Sequence, residues 1–174
     1  MATLSVGGTT VFDGSATQGI TSATTFPAGH VIQTVSATKS DEDSTAMSSA
    51  TFQKVVDSSG NPEWSKTIDN VAAGNDIIVS ATWTGYITPG GSAQGGAWGF
   101  IRGSTTIYTH TNGHGDWDSD SSYWYATMHM QYLDSNLGAG SHSYYLGCRE
   151  YTNATVQVNS SQLPFNMILQ EIQR

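Results

Sequence analysis

The chain has 174 residues and a mass of 18.5 kDa, enough for one domain with its own core, or one domain and a short arm. Six Lys and Arg stand against 14 Asp and Glu, a net charge of −8. That excludes the clustered cations that a phosphate backbone or an anionic lipid surface demands, so neither nucleic acid nor membrane insertion is expected.

About a quarter of the residues are Ser or Thr, 19 are Gly, and only 11% are charged. A surface polarised by hydroxyls rather than by Lys and Glu favours strands over helices. The single cysteine, Cys148, excludes an intrachain disulfide and a Cys-rich zinc site. No run approaches about 18 apolar residues, the length of a membrane-spanning helix. The opening MATLSVGGTT has neither a basic n-region nor an apolar h-region, so a chain made in a cytosol and not exported by a classical signal is expected. The sequons at Asn153 and Asn159 then read as chance matches in a chain rich in Ser and Thr.

Residues 1–25 differ from the rest. Thr3–Val6 is a short strand candidate, Gly7-Gly8 a turn, and Val11-Phe12 a second apolar pair. GSATQGITSATT then has little to bury, and the segment reads as an arm or linker, with a first hairpin of the main domain as the alternative. Phe26-Pro27-Ala28-Gly29 opens the main domain, residues 26–174. Val31–Thr38 is a strand, and DEDSTA (41–46) an acidic loop. Phe52–Val56 and Trp64–Ile68 flank DSSGNPE and predict a hairpin. In Ile77–Tyr86, Ile77, Val79, Ala81 and Trp83 share one face, and Ser80, Thr82 and Thr84 the other. That period of two is a half-buried strand. TPGGSAQGG (88–96) is a loop; Ala97–Arg102 resumes with Trp98 and Phe100 on one face, and Arg102-Gly103-Ser104 turns into Thr105–His110.

HTNGHGDWDSDSS (110–122) is a long polar loop. In Tyr123–Leu133, Trp124, Ala126, Met128, Met130 and Tyr132 lie on one face, and Tyr125, Thr127, His129 and Gln131 on the other. Asp134–Ser141 turns the chain, and Tyr144–Tyr151, Thr155–Val158 and Phe165–Ile172 are the last strands. No stretch has helical periodicity with caps. About nine or ten strands joined by Gly- and Asp-rich turns predict an all-β fold, an antiparallel two-sheet sandwich.

Three stretches carry a resemblance when taken in order. They are FPAGHVIQTVSATKSD (26–41); the pair IIVSATWTGYI (77–87) and GFIRGSTTIY (99–108); and the pair YLDSNLGAGSHSYYLGCRE (132–150) and SSQLPFNMILQEIQ (160–173). Their succession resembles small virion proteins of tailed bacteriophages, many of them marine, whose domains look like the jelly roll of tumour necrosis factor and C1q. The resemblance implies a jelly roll assembled as a homotrimer. The N-terminal segment would dock on other virion proteins of capsid or tail, and the chain, made in the host cytoplasm, would end on the virion. The closing PFNMILQEI departs from the commoner Thr-Ala-Met-Glu-Ile ending.

His110, His114, Asp116, Asp118 and Asp120 form the densest cluster of metal-capable side chains. Alternate carboxylates can wrap a hard cation such as Ca²⁺, although the EF-hand Gly and Glu are missing. His-x₃-His could hold zinc or nickel. The plain alternative is a solvated loop. Trp117, between two acids, is either a stacking platform for a glycan or an anchor for its own loop. No Gly-x-Ser-x-Gly elbow or other nucleophile motif occurs, so no catalytic residue is assigned and no enzyme is expected. Phe165, Met167, Ile168 and Leu169 make the final strand apolar on both sides. A strand of that kind needs cover on both faces, and a neighbouring subunit would supply the second. The first reading is a trimeric head fibre, decoration protein or small tail fibre. The second is a receptor-recognising carbohydrate module with residues 110–122 as its site. A surface-polysaccharide depolymerase comes last, because no motif supports it.

Overall fold

The structure, a computed structural model, describes residues 4–6, 9–12, 27–40, 42–88, 94–109, 114–117, 124–151, 154–159 and 161–174. Among them are thirteen strands and no helix. In chain order these are β1 (Leu4–Val6), β2 (Thr9–Phe12), β3 (Val31–Lys39), β4 (Gln53–Lys54), β5 (Ser65–Val71), β6 (Asp76–Thr88), β7 (Gln94–Arg102), β8 (Thr105–Thr109), β9 (His114–Trp117), β10 (Trp124–Asp134), β11 (Gly140–Tyr151), β12 (Thr155–Val158) and β13 (Phe165–Ile172).

Two antiparallel sheets hold all but the first two strands. The first sheet runs β10-β6-β13-β3, with β12 also on β6. The second runs β4-β11-β7-β8, with β5 also on β11 and β9 on β7. β1 and β2 pair with each other in a two-stranded sheet of their own.

Alternation decides which side chains meet between the sheets. Ile77, Val79, Ala81 and Trp83 of β6 are buried, as are Met128 and Met130 of β10, and Trp98 and Phe100 of β7. Tyr144, Leu146 and Cys148 of β11 complete the facing layer. Trp83 and Trp98 meet across the middle with ring centroids 6.4 Å apart. Phe165, Met167 and Leu169 of β13 are fully buried in this core. Each such side chain contributes about 1.5–3 kcal/mol of burial.

The outer side of the second sheet has a cover of its own. Gly147 of β11 pairs with Gly99 of β7, and Phe52 lies over both. A Cβ on Gly147 would stand 2.5 Å from the Phe52 ring, so the close approach requires glycine there.

The expected hairpin between residues 52–56 and 64–68 does not form. β4 and β5 both pair with β11, as successive pieces along one edge. Leu146 closes the gap: its carbonyl accepts from Val55 N at 2.9 Å, and its own N–H donates to Trp64 O at 2.8 Å. The chain therefore leaves the sheet after Val55 and returns to the same place. Asp57 shapes the excursion, with Oδ1 accepting from Ser59 N at 2.8 Å and Asn61 N at 2.7 Å. Three segments expected as loop or turn also hold strand. β7 begins at Gln94, β9 lies within 110–122, and β11 begins at Gly140.

Candidate functional site

Of the expected cation ligands, His110, Asp118 and Asp120 lie outside the described residues. His114, Asp116 and Trp117 fall in β9, where His114 stands opposite Gly96 and Trp117 opposite Gln94. β9 thus continues the run of β8 back along β7. Their side chains lie outside what is described.

Another carboxylate group comes together elsewhere. Oxygens of Glu42, Asp57 and Glu63 lie within 4.8 Å of one another. Lys39 already bonds two of them. Its ammonium bonds Glu42 at 2.6 Å and also bonds Glu63. Burial works against the Lys39 charge, but the two carboxylates outweigh it and raise the pKa. Asp57 is held below the usual carboxylate range, chiefly by the backbone N–H of Asn61. An ammonium fills the position a cation would take.

The buried polar groups are structural clamps. Glu171, 1% exposed, accepts from Asn75 Nδ2 at 2.7 Å, Ala72 N at 2.9 Å and Gln33 Nε2 at 2.7 Å. Asp134 accepts from Arg102 Nη1 at 2.7 Å and the Tyr144 hydroxyl at 2.8 Å. His129 Nδ1 lies 3.0 Å from the Thr82 hydroxyl on the first sheet, whereas Arg149 and Glu150 belong to the second. Asn159 is buried, and its Oδ1 accepts from Ser161 Oγ and Gln162 N, so this sequon residue is engaged within the fold.

The outer face of the first sheet is different. Three cross-strand rows run over β3, β13, β6 and β10: Thr34–Gln170–Ile78–Leu133, Ser36–Ile168–Ser80–Gln131 and Thr38–Asn166–Thr82–His129. None of these twelve residues is Asp, Glu, Lys or Arg. The Asp76–Arg174 pair, 3.5 Å apart, borders them at one end. All five exposed large hydrophobic residues among those described belong to this sheet: Val31, Ile32, Tyr125, Leu133 and Ile168. Of the four expected contact residues in β13, only Ile168 is on this face, 41% exposed. Phe165, Met167 and Leu169 face the second sheet of their own chain rather than a neighbour, because alternation sends every second side chain inward.

The same face holds a cleft at its other end. β12 pairs with β6 as far as Gly85 and β13 from Thr82 onward, so the two lie in succession along one edge of β6 with Thr84 between them. A cleft of about 500 Å³ opens there, lined by Thr84, Tyr125, Ala126, Thr127, Gln162 and Leu163. Tyr125 is 52% exposed and packs on Tyr86, ring centroids 4.7 Å apart. Alternation in β10 already placed Tyr125 and Thr127 on one face. The arrival of Gln162 and Leu163 depends on β12 and β13 pairing in succession with one edge of β6, which no local pattern encodes.

Compared with known protein families and curated proteins, the chain matches no family model and no curated sequence.

Proposed function

We propose that the protein is a structural component of a phage particle, a jelly roll that assembles as a trimer on the virion surface. The observation that carries this is the charge-free outer face of the first sheet, with Leu133, Ile78 and Ile168 exposed or half-buried on it. Exposed apolar side chains on an uncharged sheet face suit an interaction surface. Copies that each carry −8 repel, and contact through an uncharged face adds no like-charge pair at short range. A second copy therefore fits this face better than a basic partner, which would find no acid on it.

Strand order supports the jelly-roll reading. Numbered 1 to 8 in chain order, the long strands β3, β5, β6, β7, β8, β10, β11 and β13 lie as 1-8-3-6 in the first sheet and 2-7-4-5 in the second. Two interleaved Greek keys produce that order. The number three comes from the resemblance to trimeric jelly rolls.

Docking is assigned to residues 1–25. A two-stranded hairpin is marginal by itself in water, and β1–β2 pairs with neither large sheet. A surface on the particle would complete it. Head fibre, decoration protein and small tail fibre all fit such an arrangement.

Light scattering after size exclusion tests the assembly. Against a chain of 18.5 kDa, a mass of about three chains that persists on dilution is expected. Ile168→Asp with Leu133→Asp should return a folded monomer. A wild-type chain that is monodisperse and monomeric overturns the reading. Deleting residues 1–25 should leave the trimer intact and abolish incorporation into particles. Full incorporation of the truncated chain would move docking to the sandwich.

A further inference from the structure

We propose that the cleft beside Tyr125 binds a neutral pyranose, one sugar unit of a larger glycan. The inference stands on the cleft alone; it needs neither the trimer nor the particle.

The lining fits an uncharged amphipathic ring. Tyr125 offers a half-exposed aromatic face, backed by Tyr86, against which the C–H side of a sugar packs. Ala126 and Leu163 extend the apolar side. Thr84, Thr127 and Gln162 supply two hydroxyls and an amide, which both donate and accept, as sugar hydroxyls do. Phosphorylated or acidic ligands need a cation, and among the described residues neither Lys nor Arg lines the cleft. A purely apolar ligand would strip water from three polar groups and return nothing. The volume of about 500 Å³ exceeds one hexose and falls in the ordinary range of ligand sites. Its openness to solvent suits an exo-lying chain that continues beyond the bound unit.

The walls are preformed. Asn159 N donates to Thr84 O at 3.0 Å and pins the turn to β6. Asn159 Oδ1 fixes the residues that follow, and Ser161 N reaches Asp43 Oδ1 at 3.2 Å. Gln162 and Leu163 are thus held opposite Tyr125 before any ligand arrives, which lowers the entropy lost on binding. The site is also distinct from the apolar end of the same face. Leu133 lies eight positions beyond Tyr125 in β10, about 26 Å along an extended strand.

The test is ligand-observed NMR on the full chain. The probes are methyl glycosides of glucose, galactose, mannose and N-acetylglucosamine, with sialic acid and glucuronic acid as charged counterparts. At least one neutral glycoside should bind with a dissociation constant near about 1 mM. Tyr125→Ala should weaken it at least tenfold, Thr127→Val several-fold, and Trp117→Ala not at all. The charged sugars should bind more weakly than the neutral one. Absence of binding by all four neutral glycosides at about 10 mM overturns the proposal. Loss of binding in Trp117→Ala with retention in Tyr125→Ala overturns it too, and moves recognition to residues 110–122. Light scattering on the same samples reports assembly separately, so a failure of the trimer and a failure of this site are told apart.

Discussion

Asp134 ends a strand of the first sheet, and Arg102 ends a strand of the second; their side chains meet at 2.7 Å. The Tyr144 hydroxyl joins the same carboxylate oxygen at 2.8 Å. The two donors differ in exposure. The Arg102 side chain is 32% exposed, so water can replace its bond, whereas Tyr144 is fully buried. Removing the acceptor should therefore hurt most through the phenol. Asp134→Ala should cost about 1–3 kcal/mol, the penalty for a buried unsatisfied donor. Arg102→Ala should cost less, near the about 1 kcal/mol ceiling of partly exposed pairs. Urea unfolding of both variants checks the order, and a larger loss for Arg102→Ala would reverse this account.

Alkaline pH should loosen the fold. Burial first, then the Asp134 hydrogen bond and charge, raise the Tyr144 pKa far above its ordinary 10.0. A group raised in the folded state contributes stability that is complete below its unfolded pKa and is lost as pH rises beyond it. Stability should fall from about pH 10 upward by about 1.4 kcal/mol per pH unit for each such group. Lys39, also raised, adds to the decline from its ordinary 10.5. Denaturant midpoints between pH 9 and 11 should show the slope, and Tyr144→Phe should flatten it. An unchanged slope in that variant would remove Tyr144 as the cause.

Cys148 should be silent until the chain opens. Its thiol is buried, 3.3 Å from the Met47 sulfur, and burial pushes its pKa up to about 12. Thiolate is the reactive form, so a disulfide reagent at pH 8 should label the native chain only as fast as it unfolds. One equivalent should react at once in denaturant. Rapid labelling under native conditions would mean that β11 is accessible.

Gly147→Ala should destabilise by about 1–3 kcal/mol, because the new methyl meets the Phe52 ring. Phe52→Ala in the same chain should recover part of that loss. Gly99→Ala should gain no comparable rescue, since its Cβ would run into backbone of Tyr108 and Thr109 as well. Thermal melts of the three single and two double variants decide it.

Where one face of a strand is buried, the period of two was enough to read it. Ile77, Val79, Ala81 and Trp83 were assigned together from the sequence, and each is buried. The same alternation divides Met167 and Leu169 from Ile168, yet apolar residues on both faces hid which side the chain covers for itself. β9 is short and takes its identity from a partner strand, so composition could not mark it. DSSGNPE has the residues of a tight reversal; the pairing partner is β11, more than 70 residues away in sequence, and local turn chemistry is blind to it. The cleft escaped for the same reason, because Gln162 and Thr127 line it together only once β12 and β13 have paired in succession with β6.

The excursion closed at Leu146 has a practical side. Its ends, Val55 and Trp64, are fixed by one residue of β11, while Ser58, Ser59 and Gly60 at its tip are exposed. Strand register therefore does not depend on how much chain lies between those ends. Lengthening it adds only loop-closure entropy, about 0.6 kcal/mol for each doubling. A foreign peptide spliced in at the tip would ride on the sandwich without shifting a single strand, making this short detour a ready graft point for display.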